Sequence, residues 1–505
     1  AQVKRVVMAK PARGKPIRPS RFRRLLVANR GEIAVRVKHA SSEMGITTVA
    51  VHSDADDNAL FVKYADEAVN IGPASASMSY LVKEKILEAA RQTGADAIHP
   101  GYGFLSENAD FVRMCDGAAI TFVGPPASAM DAMGDKVSAR NTVSRAGVPI
   151  VPGTPPITSP EEGEAFVREV GLPVLVKAAA GGGGIGMKVV ETPEELLPAI
   201  ELCQSTARQA FGDPTIFIEK YVAEPRHIEI QVMGDRHGNY VHLGERECSI
   251  QRRHQKVLEE SPSPVITPAL RKRMGDAAVE AARACGYFNA GTIEFIFSKG
   301  DFYFLEMNTR LQVEHPVTEM VTGVDLVRTQ IRVAQGEELG FSQEDLRQHG
   351  WAIEFRVNAE DPTRDFMPAP GRIRAYHEPG GPGVRVDSGV YAGYTIPPYY
   401  DSMIAKLVVW GEDREEAIQR GRRALYEYAI EGVKTNIPLH LALTESPDFR
   451  AGKLSTHFIP DHPEVMRRAG ELAAEGVGLD LGGPGNARVA AIVAAVHHHS
   501  GAPTN

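Results

Sequence analysis

The sequence of 505 residues contains only four cysteines, Cys115, Cys203, Cys248 and Cys285, and no C-x-x-C pair. That spacing argues against a disulfide framework or a structural zinc site and fits a reducing compartment. No apolar run approaches the ~18 residues of a membrane span. No secretory apolar segment opens the sequence. We therefore expect a cytoplasmic protein without a membrane span.

The sequence also lacks an overall excess of positive charge, because its formal net charge is −8. Nucleic acid is therefore not an expected partner. Basic residues are concentrated in residues 1–24, and no acidic residue precedes Glu32. This segment is interpreted first as a solvated tail; an organelle-targeting remnant or an arm for an acidic partner remains open.

Hydrophobic patterning predicts several domains of α/β and α+β type. Strand, helix and strand patterns follow one another at residues 24–28, Glu32–Met44 and 46–52, as in a parallel βαβ unit. A proline-rich segment at 148–160 interrupts both periods and predicts a linker. The predicted units are a basic tail (1–21), an N-terminal α/β domain (22–135), a lid (150–222), a C-terminal domain (223–461) and a tail (462–505).

The glycine-rich stretch VKAAAGGGGIGMKVV at 176–190 formally contains G-x-G-x-x-G. A dinucleotide fingerprint opens a helix, whereas a β-type run follows Gly186 here. No G-K-[S/T] is present either, which excludes a Walker A loop. The stretch is therefore interpreted as a flexible hairpin whose backbone N–H groups approach phosphates, with Lys177 at its root. A hairpin without a ligand remains the alternative.

The second informative stretch is an acidic hairpin. Glu294 and Glu306 lie in two β-type runs joined by a Lys-Gly-Asp turn, and Asn308 follows on the face of Glu306. Carboxylates among aromatic residues are costly to bury unless they are paired or bind a metal. These oxygen ligands suit Mg²⁺ beside nucleotide phosphates. The alternative is that both carboxylates face solvent.

Two further stretches carry clustered charge. The run QRRHQK at 251–256 predicts an anion site or, alternatively, a solvated basic loop. Arg356 lies in a strand-like run between Phe355 and Val357, where an arginine usually has a carboxylate or anion partner.

These stretches, in this order, strongly resemble biotin carboxylase, the ATP-grasp component of acetyl-CoA, propionyl-CoA and pyruvate carboxylases. The resemblance covers about residues 22–460. It is carried by ANRGEIA (28–34), HPGYGFLSEN (99–108), MGDK (133–136), KAAAGGGGIGM (177–187), RHIEIQV (226–232), QRRHQK (251–256), EMNTRLQVEHPVTE (306–319) and GYTIPPYYDSMIAKL (393–407).

The resemblance implies an ATP-grasp fold with an N-terminal Rossmann-like (pre-ATP-grasp) domain, a lid domain and a C-terminal biotin carboxylase domain. Residues implied to bind ATP are Lys136, Lys177, Gly182, Gly183, Gly184, Glu219, Lys220, Tyr221, Val222, His227, Gln251, His254 and Glu294. Implied metal ligands are Glu294, Glu306 and Asn308, for Mg²⁺ or Mn²⁺. Residues implied around bicarbonate and biotin are Lys256, Arg310, Gln312, Val313, Glu314 and Arg356.

Within that resemblance, Glu314 is implied to be the general base, Arg356 to stabilise the biotin enolate, and Arg310 and Lys256 to assist catalysis. Many relatives have an arginine where this chain has Ile185, so lid dynamics are expected to differ. No A-M-K-M biotin attachment motif occurs. We therefore expect one component of a multi-subunit acetyl-, propionyl- or other acyl-CoA carboxylase, with the biotin carrier protein and the carboxyltransferase on separate chains. We also expect a homodimer.

Other functions are less consistent with these residues. The alternative within the family is the biotin carboxylase component of a two-subunit pyruvate carboxylase. QRRHQK and EMNTRLQVEHP argue against half of a carbamoyl-phosphate synthetase. The β-type run after Gly186 argues against an NAD-dependent oxidoreductase, and the set Lys256, Glu314 and Arg356 argues against a non-catalytic scaffold. An apolar run at 489–496 is interpreted as a subunit-docking helix or, alternatively, part of a disordered tail.

Overall fold

The computed structural model describes residues 21–178, 186–211, 213–253 and 255–477. Several predictions lie outside these residues: those on the basic tail, Gly182, Gly183, Gly184, Ile185, His254, and the helix at 489–499. The side chain of Lys136 also lies outside the description.

A parallel sheet forms the first part of the chain, as the strand–helix–strand pattern predicted. Its strand order is β3-β2-β1-β4-β5. The packed face of the first helix contains Ile33, Val37 and Ala40, which are buried at the predicted helical spacing. The elements are β1 Arg24–Val27, α1 Gly31–Glu43, β2 Thr47–His52, α2 Leu60–Tyr64, β3 Glu67–Asn70, α3 Lys83–Thr93, β4 Ala97–His99, α4 Ala109–Gly117, β5 Thr121–Phe122, α5 Ala127–Gly134 and α6 Lys136–Arg145.

A smaller antiparallel sheet of order β7-β6-β8 follows. Its elements are α7 Pro160–Val170, β6 Val174–Ala178, β7 Met187–Val190, α8 Leu196–Phe211 and β8 Ile216–Lys220. Strands β6 and β7 are antiparallel partners with Lys177 opposite Met187, so a strand does follow Gly186. This pairing confirms the predicted strand on each side of the glycine-rich stretch, and a strand in place of a helix after Gly186 does not fit a dinucleotide fingerprint.

The rest of the chain is organised around a large antiparallel sheet of order β13-β12-β9-β10-β11-β14-β21-β19. Its elements and those packed on it are β9 Arg226–Gly234, β10 Tyr240–Arg252, β11 Gln255–Ser261, α9 Pro268–Ala284, β12 Asn289–Ser298, β13 Asp301–Asn308, α10 His315–Thr322, α11 Leu326–Ala334, β14 Trp351–Asn358, β15 Glu360–Asp361, β16 Met367–Pro368, β17 Gly371–Arg372, β18 Ala375–His377, β19 Val384–Ser388, β20 Thr395–Ile396, β21 Met403–Gly411, α12 Arg414–Glu427, β22 Ala429–Glu431, α13 Ile437–Glu445, α14 Pro447–Arg450, α15 Phe458–Asp461 and α16 Pro463–Ala474.

The large sheet positions the charged side chains described below. Helix α10 packs against β10, β11, β14 and β21, so the residues just before it lie at the centre of the sheet. QRRHQK lies at the tight connection between β10, which ends at Arg252, and β11, which begins at Gln255. Among the described residues, no helix has both the length and the apolar character needed to cross a membrane.

Candidate active site

The acidic hairpin forms as predicted. Strands β12 and β13 pair with Glu294 opposite Glu306 and Thr292 opposite Asn308. Asn308 donates a hydrogen bond from Nδ2 to Glu294 Oε1 at 2.8 Å. Glu294 is buried, whereas Glu306 lies on the exposed side of the hairpin. The two carboxylates and the amide are therefore at one edge of the sheet and line the same cavity, with Glu294 deeper than Glu306.

Lys256 connects three carboxylates at the centre of the site. Its Nζ lies 2.6 Å from Glu229 Oε2, 3.1 Å from Glu294 Oε1 and 2.6 Å from Glu314 Oε1. Burial alone would lower the pKa of the Lys256 ammonium, but Glu229 and Glu314 raise it well above its ordinary value. Lys256 is therefore a fixed positive charge.

Glu314 immediately precedes α10 and is almost fully buried. It accepts hydrogen bonds from Lys256 and, at 3.0 Å, from Arg356 Nη2. Burial alone would raise the pKa of Glu314, but Lys256 and Arg356 hold it well below its ordinary value. In this arrangement the predicted base is an ionised carboxylate with two cationic partners.

Arg356 has the carboxylate partners that its strand position predicted. Its Nε donates to Glu259 Oε1 at 2.6 Å, and its Nη2 donates to Glu314. Glu259 lies opposite Glu354 on the neighbouring strand. Burial raises the pKa of Glu259 to about 7 and raises that of Glu354 well above its ordinary value. The guanidinium is therefore held by Glu259 and Glu314, and the buried carboxyl group of Glu354 lies opposite Glu259 without a hydrogen bond of its own among the described residues.

A second buried arginine, Arg246, organises the floor of the site. It donates from Nη1 to Gln231 Oε1 at 2.6 Å and from Nη2 to Gln312 Oε1 at 2.7 Å, and its Nε is paired with Glu229. Thr292 and Thr318 accept its remaining hydrogen bonds. Because strands β9, β10 and β12 and helix α10 all contribute, this guanidinium fixes several elements relative to one another.

We expect Arg246→Met to lower the free energy of unfolding by about 3–5 kcal/mol, because it leaves the buried carboxylate of Glu229 with one cation fewer. Urea denaturation followed by circular dichroism measures this change. Arg332→Met is the control, since the exposed pair of Arg332 with Glu337 contributes only about 0–1 kcal/mol. Equal losses in the two variants would contradict the assignment of Arg246 as the organising residue.

His227 and Gln251 extend the site along β9 and β10. His227 Nε2 lies 3.0 Å from Glu294 Oε2, and its Nδ1 lies 3.0 Å from Gln251 Nε2. Burial alone would raise the pKa of Glu294, but Lys256 and His227 lower it. Glu294 is therefore ionised and available as a ligand for a cation.

The lid residues predicted to bind ATP form a separate group. Lys177 Nζ lies 2.5 Å from Glu219 Oε2, and Arg140 Nη1 lies 2.6 Å from Glu219 Oε1. The ammonium of Lys220 instead donates to the carbonyls of Val170, Gly171 and Leu172 at the end of α7. A contact of Lys220 with ATP would therefore use its backbone. Tyr221 and Val222 follow directly and are half-buried.

Arg310 is half-buried beside the hairpin and contacts Asn308 Oδ1 at 2.9 Å and Glu107 Oε2 at 3.1 Å. Gln312 donates to Glu294 Oε1 at 2.9 Å, and the carbonyl of Val313 accepts from Lys406 at 3.0 Å. The segment between β13 and α10 is thus hydrogen-bonded to Asn308 and Glu294 on the hairpin and to the buried Lys406 on β21.

A cavity of about 490 Å³ brings most of the predicted residues together. The predicted residues that line it are His227, Gln251, Lys256, Glu294, Glu306, Asn308, Arg310, Gln312, Val313, Glu314 and Arg356. Lys177, Glu219, Lys220, Tyr221 and Val222 do not line it. Gln255, Leu305, Asn358, Asp401 and Met403 also line it, although sequence reasoning did not single them out.

Glu294, Glu306 and Asn308 are the best candidates to hold a divalent cation, because hard oxygen ligands at an accessible edge suit Mg²⁺. A different cluster, His227, Glu229 and Glu294, has ligand atoms within 4.8 Å of one another. In that cluster Glu229 is already neutralised by Arg246 and Lys256. Glu229 is therefore a weaker candidate ligand than the hairpin residues, which line the open cavity.

Sequence reasoning missed Glu229, Arg246 and Glu259. Glu229 alternates with Ile228 and Ile230 in a strand that was recognised, and a charged residue at such a position is a signal of burial with a partner. Nothing in the local pattern of Arg246 indicates which strands its guanidinium joins.

Sequence profiles of known families match nearly the whole described chain. Residues 21–130 match the biotin carboxylase N-terminal domain, and residues 354–461 match the biotin carboxylase C-terminal domain. Residues 135–342 match the ATP-binding domain of the carbamoyl-phosphate synthase L chain.

Individual proteins give the same result. The chain is 59% identical to a pyruvate carboxylase component of Methanothermobacter thermautotrophicus over 87% of this chain and 90% of that protein. It is 57% identical to biotin carboxylase 1 of Bacillus subtilis over 88% of this chain and 99% of that protein. Its structure matches the biotin carboxylase domain dimer of Hydrogenobacter thermophilus 2-oxoglutarate carboxylase, solved with MgADP, ADP and bicarbonate, at 50% identity and a TM-score of 0.78, over 88% of this chain and 98% of that one.

Proposed function

The chain belongs to the biotin carboxylase family, and we propose that it uses ATP to carboxylate biotin on a separate carrier protein with bicarbonate. It is an ATP-grasp ligase. The observation that carries the proposal is the convergence of Lys256, Glu314 and Arg356 in one cavity with the carboxylates of the acidic hairpin. A carboxylate, an ammonium and a guanidinium in one cavity are the groups that activation of bicarbonate and of biotin would use.

Two groups of residues support the ATP-binding role, one on the acidic hairpin and one around the glycine-rich stretch. Glu294, Glu306 and Asn308 would hold Mg²⁺, which neutralises phosphate charge when bound. Lys177, at the end of β6 beside the glycine-rich stretch, would contact phosphate as a point charge. His227 and Gln251 lie on the same side of the cavity as Glu294, so they extend the site toward the phosphates.

Glu314 acts on bicarbonate in the first step. Bicarbonate is a weak nucleophile, and removal of its proton by the Glu314 carboxylate produces an anion that attacks the γ-phosphoryl group of ATP. Arg310 and Lys256 offset the charge that accumulates in phosphoryl transfer. The products are ADP and carboxyphosphate.

The ion pairs of Glu314 have a consequence for this step. A carboxylate whose pKa is held well below its ordinary value is a poor proton acceptor. When the anionic substrates bind, Arg356 and Lys256 must donate hydrogen bonds to them in place of some of those to Glu314. This exchange raises the pKa of Glu314 once the substrates are in place. The base is therefore activated by the substrates.

Arg356 serves the second step. Carboxyphosphate decomposes to CO₂ and phosphate, phosphate removes the N1′ proton of biotin, and the resulting enolate captures CO₂. Negative charge develops on the ureido oxygen, and a guanidinium that is fixed by Glu259 is preorganised to stabilise it. Because carboxyphosphate hydrolyses in water, closure of the lid over the site is part of the proposal.

The wider assembly extends the proposal. The acceptor would be an acetyl-, propionyl- or other acyl-CoA, served by a carboxyltransferase on another chain, in a cytoplasmic complex that contains a homodimer of this chain. The second candidate is a two-subunit pyruvate carboxylase, which the 59% identity to the Methanothermobacter pyruvate carboxylase component favours. The proposed domain limits remain 22–135, 150–222 and 223–461.

Bicarbonate-dependent ATP hydrolysis, measured with and without free biotin, tests this function. We expect ADP release to require bicarbonate and Mg²⁺. It should rise several-fold with biotin, because biotin consumes the CO₂ that carboxyphosphate releases in the site. Omission of bicarbonate is the control for uncoupled hydrolysis. ADP release that is indifferent to biotin would contradict the proposal.

A further inference from the structure

A second cavity, of about 870 Å³, lies in the C-terminal part of the chain outside the active site. It is lined by three cationic side chains, those of Arg372, Arg374 and Lys434, and by Ile373, Gly393, Gly432 and Val433. All three cationic residues are exposed. We call this feature the basic cavity.

The three cations of the basic cavity have no close ion-pair partner in the described part of the chain. None of their side chains donates a hydrogen bond or lies within 4.0 Å of a carboxylate there, and Lys434 acts on Asp361 only from beyond that distance. Other exposed arginines of this region do have close partners, for example Arg253 with Asp365. The chain as a whole has a net charge of −8, whereas the charge of the basic cavity is positive. The cavity therefore attracts anionic groups.

Backbone contacts bring the segments that bear these cations together. Gly432 has a φ of +103°, and a Cβ there would lie 2.1 Å from the carbonyl oxygen of Arg372. The backbone N–H of Arg374 donates to the carbonyl of Glu431 at 2.7 Å. Only a glycine permits this close approach, so the backbone of residues 372–374 is held against the segment that bears Lys434.

The basic cavity is connected to the active site through Asn436. The Asn436 side chain donates to the carbonyl of Arg356 at 2.8 Å and accepts from the backbone N–H of Asn358 at 2.8 Å. Asn358 itself lines the active-site cavity. Lys434 precedes Asn436 by two residues, a chain distance of at most about 7 Å. The basic cavity is therefore close to the residues proposed to act on biotin.

The form of the basic cavity favours an acidic protein surface over a small ligand. Small-molecule sites enclose most of the ligand and contain a few buried polar groups and aromatic side chains. This cavity has exposed cations, no aromatic lining among the described residues and only Ile373 and Val433 as buried apolar residues. Exposed charges of this kind steer and orient a protein partner.

We propose that the basic cavity receives carboxylates of the biotin carrier, close to its biotinylated lysine, and so orients that lysine toward Arg356. The inference rests on the proposed function, in which the biotin substrate is attached to a carrier protein. The docking face of that carrier would present acidic side chains a short distance along the chain from the biotinyl-lysine.

Biotin carboxylation assays with three substrates test this inference. The substrates are free biotin and two biotinyl-lysine peptides of equal length. In each peptide a flexible spacer joins the biotinyl-lysine to a run of one residue type, glutamate in the first peptide and glutamine in the second. We expect the glutamate peptide to have a kcat/KM at least about tenfold above that of the glutamine peptide at low salt. The difference should shrink at high ionic strength, as for exposed charges.

The triple variant Arg372→Gln, Arg374→Gln, Lys434→Gln should remove the advantage of the glutamate peptide and leave free biotin unaffected. Arg91→Gln, an exposed cation on α3, is the control and should keep the advantage. Equal rates for both peptides, or an advantage that survives the triple variant, would overturn the docking surface. Loss of the advantage of the glutamate peptide over the glutamine peptide in millimolar phosphate at constant ionic strength would also overturn it in favour of a small-anion site; inhibition of both peptides and of free biotin alike would reflect phosphate in the active site and would leave the advantage, and so the docking surface, in place. Failure with free biotin would instead contradict the proposed function.

Discussion

Glu314→Gln should lower bicarbonate-dependent ATP hydrolysis and biotin carboxylation together by about 10²–10⁴-fold, the range for loss of a general base. Glutamine keeps the size of the side chain but cannot accept the proton of bicarbonate. ATP binding should persist, because Glu294, Glu306 and the lid residues are unchanged. Steady-state ADP release and equilibrium binding of ATP measure the two properties separately.

The matched control for this variant is Glu260→Gln. Glu260 is also a buried carboxylate on the large sheet, and it is paired with Arg414 at 2.7 Å, away from the active-site cavity. We expect Glu260→Gln to cost stability but to keep turnover per folded molecule. If Glu314→Gln retained turnover, or if both variants lost it equally, the assignment of Glu314 as the base would be wrong.

Arg356→Gln should separate the two half-reactions. We expect biotin carboxylation to fall about 10²–10³-fold, the usual effect of removing one donor that stabilises a developing oxyanion. Biotin-independent ATP hydrolysis in the presence of bicarbonate should not fall, because Glu314 and Lys256 remain in place and loss of one cationic partner raises the pKa of Glu314. The ratio of carboxybiotin formed to ADP released reports the separation directly.

Arg414→Gln is the control for Arg356→Gln, because it removes the arginine partner of Glu260, next to Glu259 on the same strand. Its ratio of carboxybiotin to ADP should equal that of the unaltered protein. Parallel losses of ATP hydrolysis and carboxylation in Arg356→Gln would show that Arg356 serves the first step instead.

The acidic hairpin shows what the sequence could predict. Glu294 and Glu306 were placed on paired strands because period-2 alternation and a Lys-Gly-Asp turn determine a hairpin register locally. The partner of Arg356 was predictable as a class, since a buried arginine needs an anion. Its identity was not, because Glu259 reaches it across a strand pair that is distant in sequence.

The floor of the site and the basic cavity show where sequence patterns stop being informative. Arg246 joins residues from three strands and a helix, and irregularities in the pairing of β9, β10 and β11 set their register. Local periodicity does not encode such bulges. Arg372 and Lys434 are brought together by a close backbone approach at Gly432, which is visible only once both segments are placed.

The most direct test of the central claim is transfer of label from [¹⁴C]bicarbonate to free biotin. The account predicts acid-labile carboxybiotin that requires ATP and Mg²⁺, is absent in Glu314→Gln, and is strongly reduced in Arg356→Gln. Label transfer that needs no ATP, or ATP hydrolysis with no labelled biotin in the unaltered protein, would contradict it.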